Sequence, residues 1–360
     1  MSDDPLQPVR QQIDQLDQQI QQLINQRARC AQQVAVIKQA AGGDIQYYRP
    51  EREADVLRRV MARNEGPVRD EDMARLFREI MSVCLALEQP MRIAFLGPEG
   101  TFTQAAALKH FGHAVITTPL RTIDEVFREV EAGRADYGVV PVENSTEGVV
   151  NHTLDQFMQS SLTICGEVQI RIHHHLLSRT GDLSEIRRIY SHPQSLAQCR
   201  GWLDRNLPTV ERIHDSSNGA AARRLLDDPE AAAIAGQGAA DAYQLPVLVG
   251  NIEDEPDNTT RFLVIGTQTS AVSGHDKTAV LIASPSRPGS LLRLLEPMNR
   301  HGVNMTRIES RPSRRGIWTY VFFIDMEGHR DDPAVAAVLA ELEQQASLFK
   351  VLGSYPKGVL

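Results

Sequence analysis

The chain has 360 residues, 42% of them hydrophobic, and a formal net charge of -8. That length suits two or three domains of roughly 100 to 200 residues each, and the acidic balance argues against a nucleic-acid surface, which needs clustered Lys and Arg. No stretch approaches the ~18 apolar residues of a spanning helix, and "MSDDPLQPVRQQ" lacks the basic and apolar blocks of an export signal. A cytosolic protein is expected, with Cys30, Cys84, Cys165 and Cys199 as reduced thiols, since no two of them form a CxxC pair.

Residues 1 to 90 predict an all-α domain, with helices from about Pro8 to Ala41, Glu51 to Arg63 and Asp70 to Gln89, broken at Gly42, Gly43, Pro50, Gly66 and Pro67. In the first helix Ile13, Leu16, Ile20, Leu23, Ala31 and Val34 form the stripe that a helix buries. Arg27 and Lys38 lie on that same stripe, about 16 Å apart along the axis. In the third helix Phe77, Met81 and Cys84 lead to Glu88, a carboxylate on an apolar face. Salt bridges or snorkelling would explain any one of these charges. Three of them in so small a domain suggest a pocket for a dianion between facing helices. Such a pocket suits a reaction without a nucleophile, in which cations hold two carboxylates in a strained conformer and stabilise charge developing on an oxygen.

Residues 91 to 268 alternate strands ("RIAFLG", "YGVVPV", "RRIYS", "AAAIAG", "RFLVIG") with helices ("TQAAALKHF", "IDEVFREVEAG", "NGAAARRLLDD"), the pattern of α/β layers. "VVPVENSTEGVV" runs a buried-type strand into Glu143, Asn144 and Ser145. Those residues suit either a helix N-cap or a ligand site at a strand end. "GPEGTFTQAA" opens a helix at Thr101 and offers backbone N–H groups to an anion, without the GxGxxG spacing of a dinucleotide fold. "SHPQSLAQC" presents Ser191, His192 and Gln194, and "DNTTRFLVIG" presents Thr259, Thr260 and Arg261. These strand ends converge if two lobes face each other across a cleft, as in solute-binding folds. In "RIHHHLLS" alternate strand residues face opposite ways, so at most two of His173, His174 and His175 could meet one ion. Neither a metal nor a cofactor is expected.

After a polar linker, "TQTSAVSGHDK", residues 276 to 360 predict β-α-β-β-α-β, the ferredoxin-like order of an α+β domain. The strands are "TAVLIASP", "VNMTRIESRPS", "WTYVFFIDMEG" and "LFKVLGSYP", with helices from Gly289 to His301 and from Pro333 to Ala346.

These motifs resemble a known family. The helical segment resembles the all-helical chorismate mutases, and the two-lobed segment, of periplasmic-binding-protein type, is similar to prephenate dehydratase. "RPGSLLRLL" with "RIESRPS" resembles an amino-acid-binding ACT domain. Over essentially the whole chain the resemblance is to bifunctional chorismate mutase/prephenate dehydratases of phenylalanine biosynthesis. It implies rearrangement of chorismate to prephenate, loss of water and CO2 to give phenylpyruvate, feedback inhibition by phenylalanine, and a homodimer or higher oligomer with intertwined helices. For the mutase it implies that Arg27 and, from the other copy, Arg10 grip the substrate. Lys38 would meet a carboxylate and the ether oxygen, Glu51 the hydroxyl, and the Tyr47 N–H would help hold that hydroxyl. Cys84 stands where some relatives carry a small hydroxyl residue, and Glu88 where some carry glutamine, so Glu88 would have to be protonated to donate. A second arginine of this site in some relatives stays unassigned, because Pro50 takes the ungapped position beside Arg49.

For the dehydratase the resemblance implies Thr260 as hydrogen-bond donor to the leaving hydroxyl, backed by Glu143. Thr101, Asn144, Ser145, Ser191, His192 and Gln194 would complete the cleft. Arg261 would anchor an anion, or face outward as strand arginines often do. Phenylalanine would sit between Gly289, Ser290 and Leu291 of one copy and Glu309, Ser310, Arg311 and Pro312 of another. A competing expectation is a non-catalytic amino-acid sensor, and a fusion to a dehydrogenase fails for want of a nucleotide fingerprint.

Overall fold

The computed structural model describes residues 4–42, 46–284, 287–313 and 320–360. Of the positions named above, Met1, Ser2, Asp3, Gly43, Pro285, Trp318 and Thr319 lie outside the described residues. The architecture is an all-α segment, a two-lobed α/β segment and an α+β segment, in chain order.

The first segment holds α1 (Gln7–Ala41), α2 (Pro50–Ala62) and α3 (Asp70–Ala86). Nothing between Val9 and Ala41 breaks a helix, so α1 extends for about 52 Å. The much shorter α2 and α3 reach only its C-terminal part. Ile13, Leu16, Ile20 and Leu23 therefore remain 49–63% exposed, and the stripe expected to be buried is bare within one chain.

The first lobe comprises β1 (Arg92–Leu96), α4 (Phe102–Phe111), β2 (Ile116–Leu120), α5 (Ile123–Glu131), β3 (Tyr137–Asn144), β4 (Gly148–Val149), α6 (Asn151–Phe157) and β5 (Thr163–Arg171). The second comprises β6 (His175–Ser178), β7 (Arg188–Ser191), α7 (Pro193–Gln198), α8 (Arg200–Asn206), β8 (Glu211–His214), α9 (Asn218–Arg224), β9 (Ala231–Ala235), α10 (Gln237–Tyr243) and β10 (Val247–Val249). The chain then returns to the first lobe as β11 (Thr259–Gly266), between β3 and β5, giving the order β2-β1-β3-β11-β5 with β4 beside β3. The second sheet has the order β10-β6-β9-β7-β8. The lobes meet closely where "GPEG" passes α9, since a Cβ added to Gly219 would lie 2.4 Å from the Glu99 carbonyl oxygen. A glycine is required there by contact alone.

The last segment contains β12 (Asp276–Ala283), α11 (Ser290–Arg300), β13 (Met305–Pro312), β14 (Tyr320–Glu327), α12 (Pro333–Gln345) and β15 (Leu348–Pro356), in the antiparallel order β13-β14-β12-β15. Alternation along its strands serves two cores. Val280, Ile282, Ile324 and Met326 pack with Leu294 and Val338 of the helices. Ala279, Leu281, Val321 and Phe323 join Val140, Leu154 and Leu263 of the first lobe.

The helical segment is keyed to α4. The Tyr48 hydroxyl lies 3.0 Å from His110 Nε2, and Arg78, paired with Glu53 at 3.1 Å, donates to the Lys109 carbonyl of α4 at 3.1 Å. Burial, helped by the Arg78 charge, pushes His110 down to about 3, so the imidazole is neutral at physiological pH.

Two candidate active sites

The helices enclose a cavity of about 600 Å³ lined by Arg27, Cys30, Ala31, Val34, Lys38, Tyr47, Tyr48, Arg49, Arg52, Glu53, Met81, Cys84 and Glu88, among others. Arg27 and Lys38 are half-buried on one face of α1, as their spacing requires. Lys38 Nζ donates to the carbonyls of Gln46 and Tyr47 at 3.1 and 3.3 Å and lies 5.4 Å from the Tyr47 ring centroid. Glu88 faces these cations with a buried Oε2 that has no hydrogen-bond partner among the described residues. Burial raises its pKa, and the charges of Lys38 and Arg27 only partly offset that rise. Several cations facing one carboxyl that holds its proton more tightly than usual suit a small dianion with an acceptor oxygen.

Two positions depart from expectation in a single chain. Glu51 is not among the residues lining the cavity, because α2 turns Arg52, Glu53 and Val56 inward instead, and its charge is felt at the Tyr137 hydroxyl. Arg10 is exposed and paired with Asp4 at 3.1 Å, about 25 Å along α1 from Arg27. Arg49 and Arg52 also line the cavity, and Pro50, which left the second arginine unassigned in the sequence, is the first residue of α2.

Between the lobes lies a second cavity of about 430 Å³. Thr101, Asn144, His192, Gln194 and Thr260 line it, together with Phe102, Arg121, His174, Gln198, Asn218 and Asn258. Asn144 organises the centre. Its Nδ2 donates to Thr260 Oγ1 and Asn258 Oδ1, both at 2.8 Å, while its Oδ1 accepts the N–H groups of Thr146 and Glu147 at 3.0 Å. "ENST" is thus a hairpin turn between β3 and β4, and the helix-cap alternative fails because α6 starts after Val150 with no side-chain cap. With its oxygen accepting from Asn144, the Thr260 hydroxyl is left free to donate into the cleft.

His174, which sequence reasoning considered only as a metal ligand, is buried in this wall with its ring edge-on to Phe102. Its Nε2 lies 2.8 Å from Gln198 Oε1, an acceptor, so Nε2 carries the proton and Nδ1 is the acceptor. His174 Nδ1 and Gln198 Nε2 are both buried without partners among the described residues. That leaves one acceptor and one donor unmet at the wall of an otherwise finished cleft. Burial lowers the His174 pKa, so the ring is neutral.

Several expected cleft residues lie elsewhere. Asn144 pairs with Thr260 and Glu143 with Arg261 across β3 and β11, and neighbours along a strand face opposite ways. Glu143 and Arg261 therefore face the third segment. Glu143 pairs with Arg307 at 3.0 Å, and Arg261 joins Glu167 at 2.8 Å, Asp325 at 2.7 Å and the Tyr355 hydroxyl at 3.0 Å. Burial alone would lower the Arg261 pKa, but Tyr355, Asp325 and Glu167 together raise it, so the anchor expected in the cleft is a buried interdomain cation. Ser191 and Ser145 act at one remove, bonding to Asn218 and Asn258 respectively. The Gly100 amide is satisfied by Gln104 Oε1 at 2.7 Å, so this part of the "GPEG" turn is no anion cradle.

In the third segment Gly289 caps α11 with φ of +76°, a conformation natural to glycine, while Ser290 is buried and Leu291 half-buried. Along β13 Glu309 is half-buried and Ser310 and Pro312 are exposed. Arg311 pairs with Asp155 of α6 at 2.9 Å, so alternation turns it toward the first lobe instead of an effector. β13 is the edge strand, with one side of its backbone unpaired within the chain.

Three family models match in chain order: chorismate mutase type II over residues 9–89, prephenate dehydratase over 93–270 and the ACT domain over 278–344. A bifunctional chorismate mutase/prephenate dehydratase of Pseudomonas aeruginosa is 57% identical, with 99% of each chain covered. The chain belongs to the bifunctional chorismate mutase/prephenate dehydratase family. Among solved structures, a prephenate dehydratase from Arthrobacter aurescens in complex with L-Phe is 39% identical, with a TM-score of 0.68 over 74% of this chain and 89% of that one. GqqA, described as a quorum quenching acylase, is 30% identical, with a TM-score of 0.69 over 74% of this chain and 98% of its own. One scaffold therefore carries differently named activities, and within this family the chemistry must be argued from the site.

Proposed function

We propose that residues 1–90 rearrange chorismate to prephenate, that residues 91–268 convert prephenate to phenylpyruvate with loss of water and CO2, and that residues 276–360 bind phenylalanine and mediate feedback inhibition. The observation that carries this is the helical cavity, in which Arg27 and Lys38 turn inward opposite a carboxyl held toward its neutral form. A non-catalytic sensor has no use for inward charges in a helical bundle, where apolar residues would be more stable. In the mutase the cations hold the substrate's two carboxylates, while Lys38 and protonated Glu88 meet the ether oxygen as its bond breaks.

In the dehydratase Thr260 donates to the departing ring hydroxyl, and Arg121 at the rim grips the side-chain carboxylate. The ring carboxylate is released as CO2, its bonding electrons enter the ring as the C–O bond breaks, and the departing hydroxyl takes one proton from solvent by way of the Thr260 hydroxyl to leave as water. His174 Nδ1 and Gln198 Nε2 complete their hydrogen bonds on substrate.

The protein works in the cytosol as a homodimer. The bare α1 stripe supports this, since each of four large side chains, 49–63% exposed in one chain, would contribute about 1–1.5 kcal/mol on full burial, and Arg10 would then reach the other copy's cavity. The unpaired edge of β13 is available to the same partner. Absorbance assays of chorismate consumption and phenylpyruvate formation, with and without phenylalanine, test all three assignments. Thr260→Ala should lower the second activity roughly 10- to 150-fold, the scale of a lost hydrogen bond to a charged group, and leave the first.

A further inference from the structure

Asn144 and Thr260, which point into the cleft, each have a neighbour pointing the other way, Glu143 and Arg261, and both neighbours end on the C-terminal sheet. The two attachments differ in character. Arg261 lies in a closed network with Glu167, Asp325 and Tyr355, whose paired charged side chains are 11%, 4% and 8% exposed, so it acts as a fixed pivot. Glu143 is 38% exposed and its one ion pair is to Arg307 Nε at 3.0 Å among the described residues. Arg307 Nη2 is buried without an acceptor among those residues, so the pair is only partly satisfied.

Past the turn, α6 is held by the same sheet, through Arg311 to Asp155 at 2.9 Å and through Lys350 Nζ to the Phe157 carbonyl at 2.9 Å. Arg307 and Arg311 stand four residues apart on one face of one edge strand. They tether the hairpin turn from both sides, while on the cleft side Asn144 alone caps Thr146 and Glu147.

We propose that Arg307 is a positioning residue for the dehydratase cleft, holding through Glu143 the strand end that aims Asn144 and, across it, Thr260. This rests on the dehydratase function proposed above and adds its regulation. Glu309 to Pro312 share β13 with both arginines, so an amino acid bound along that strand biases the tether instead of blocking the cleft.

The test uses the full chain. Arg307→Gln is expected to lower dehydratase kcat roughly 2- to 5-fold, the scale of a lost, partly exposed ion pair, with KM for prephenate and the mutase rate unchanged. Phenylalanine should still bind by equilibrium dialysis but no longer lower the dehydratase rate. Arg307→Lys should restore most of the rate, Glu143→Gln should reproduce the loss, and the double variant should be no slower than either single one. Glu143→Gln carries the test if Arg307→Gln does not fold. A wild-type kcat in both variants, penalties that multiply, or a parallel fall in mutase rate would overturn the tether. Wild-type protein inert toward prephenate would instead sink the proposed function, so it is assayed first.

Discussion

Asn144→Asp tests the centre of the cleft with almost no change of shape. Asn144 is 8% exposed, and it donates to Thr260 and Asn258 while accepting two backbone N–H groups. A carboxylate would keep the two accepted bonds and lose both donated ones. The Thr260 proton, now free to serve substrate, would turn to the new carboxylate. The departing hydroxyl would lose a donor that matters most as charge builds on it, a loss of about 1.5–3 kcal/mol or roughly 10- to 150-fold in kcat. Phenylpyruvate formation at saturating prephenate measures this, with the mutase rate of the same sample as control. Adding Thr260→Ala to Asn144→Asp should cost little more, because the hydroxyl is already misdirected. Lowering the pH should restore some activity to Asn144→Asp, since a protonated carboxyl donates again. A wild-type kcat, or two penalties that multiply in full, would refute this reading of the hydrogen bonds.

Glu88 predicts the pH profile of the mutase. Burial raises its pKa, and only the protonated form donates to the ether oxygen, so kcat/KM should be greatest at low pH. Above the Glu88 pKa it should fall about tenfold per pH unit, and Glu88→Gln should flatten the curve. A flat wild-type profile between about pH 5 and 8 would contradict this. Ile20→Glu changes a side chain 54% exposed within one chain, so it should leave the monomer folded. By light scattering it should dissociate the dimer and abolish mutase activity while sparing the dehydratase; a full-strength dimer would contradict the α1 interface. Arg121→Ala should raise KM for prephenate about tenfold or more, the scale of a lost charged hydrogen bond, and an unchanged KM would remove it from the substrate's carboxylate.

The architecture was legible where one physical signal dominated. Eleven-residue spacing was enough to turn Arg27 and Lys38 into the same cavity, and the β-α-β-β-α-β order gave the observed C-terminal sheet. The strands missed were β2, β4, β5, β8 and β10, while β6 was anticipated only as part of the strand read over "RIHHHLLS". β2 and β8 are sheet edges with half-polar burial, and β5 carries Glu167, Gln169 and Arg171 within its span. Strand alternation applied to "ENS" and "TTR" would have separated Glu143 and Arg261 from their cleft-facing neighbours. What it lacked was knowledge that a further sheet covers the opposite face. His174 and Gln198 were hidden for another reason, since their significance is an unmet hydrogen bond, which exists only once the fold has closed around them.

The most direct test is Lys38→Met, with both reactions followed on one preparation. Removing the ammonium from the helical cavity should lower mutase kcat/KM by roughly 10²- to 10³-fold, the scale for a lost group that stabilises transition-state charge, while prephenate is still converted at the wild-type rate. Mutase activity within a few-fold of wild type would mean that the inward cations are structural and the cavity is not the site.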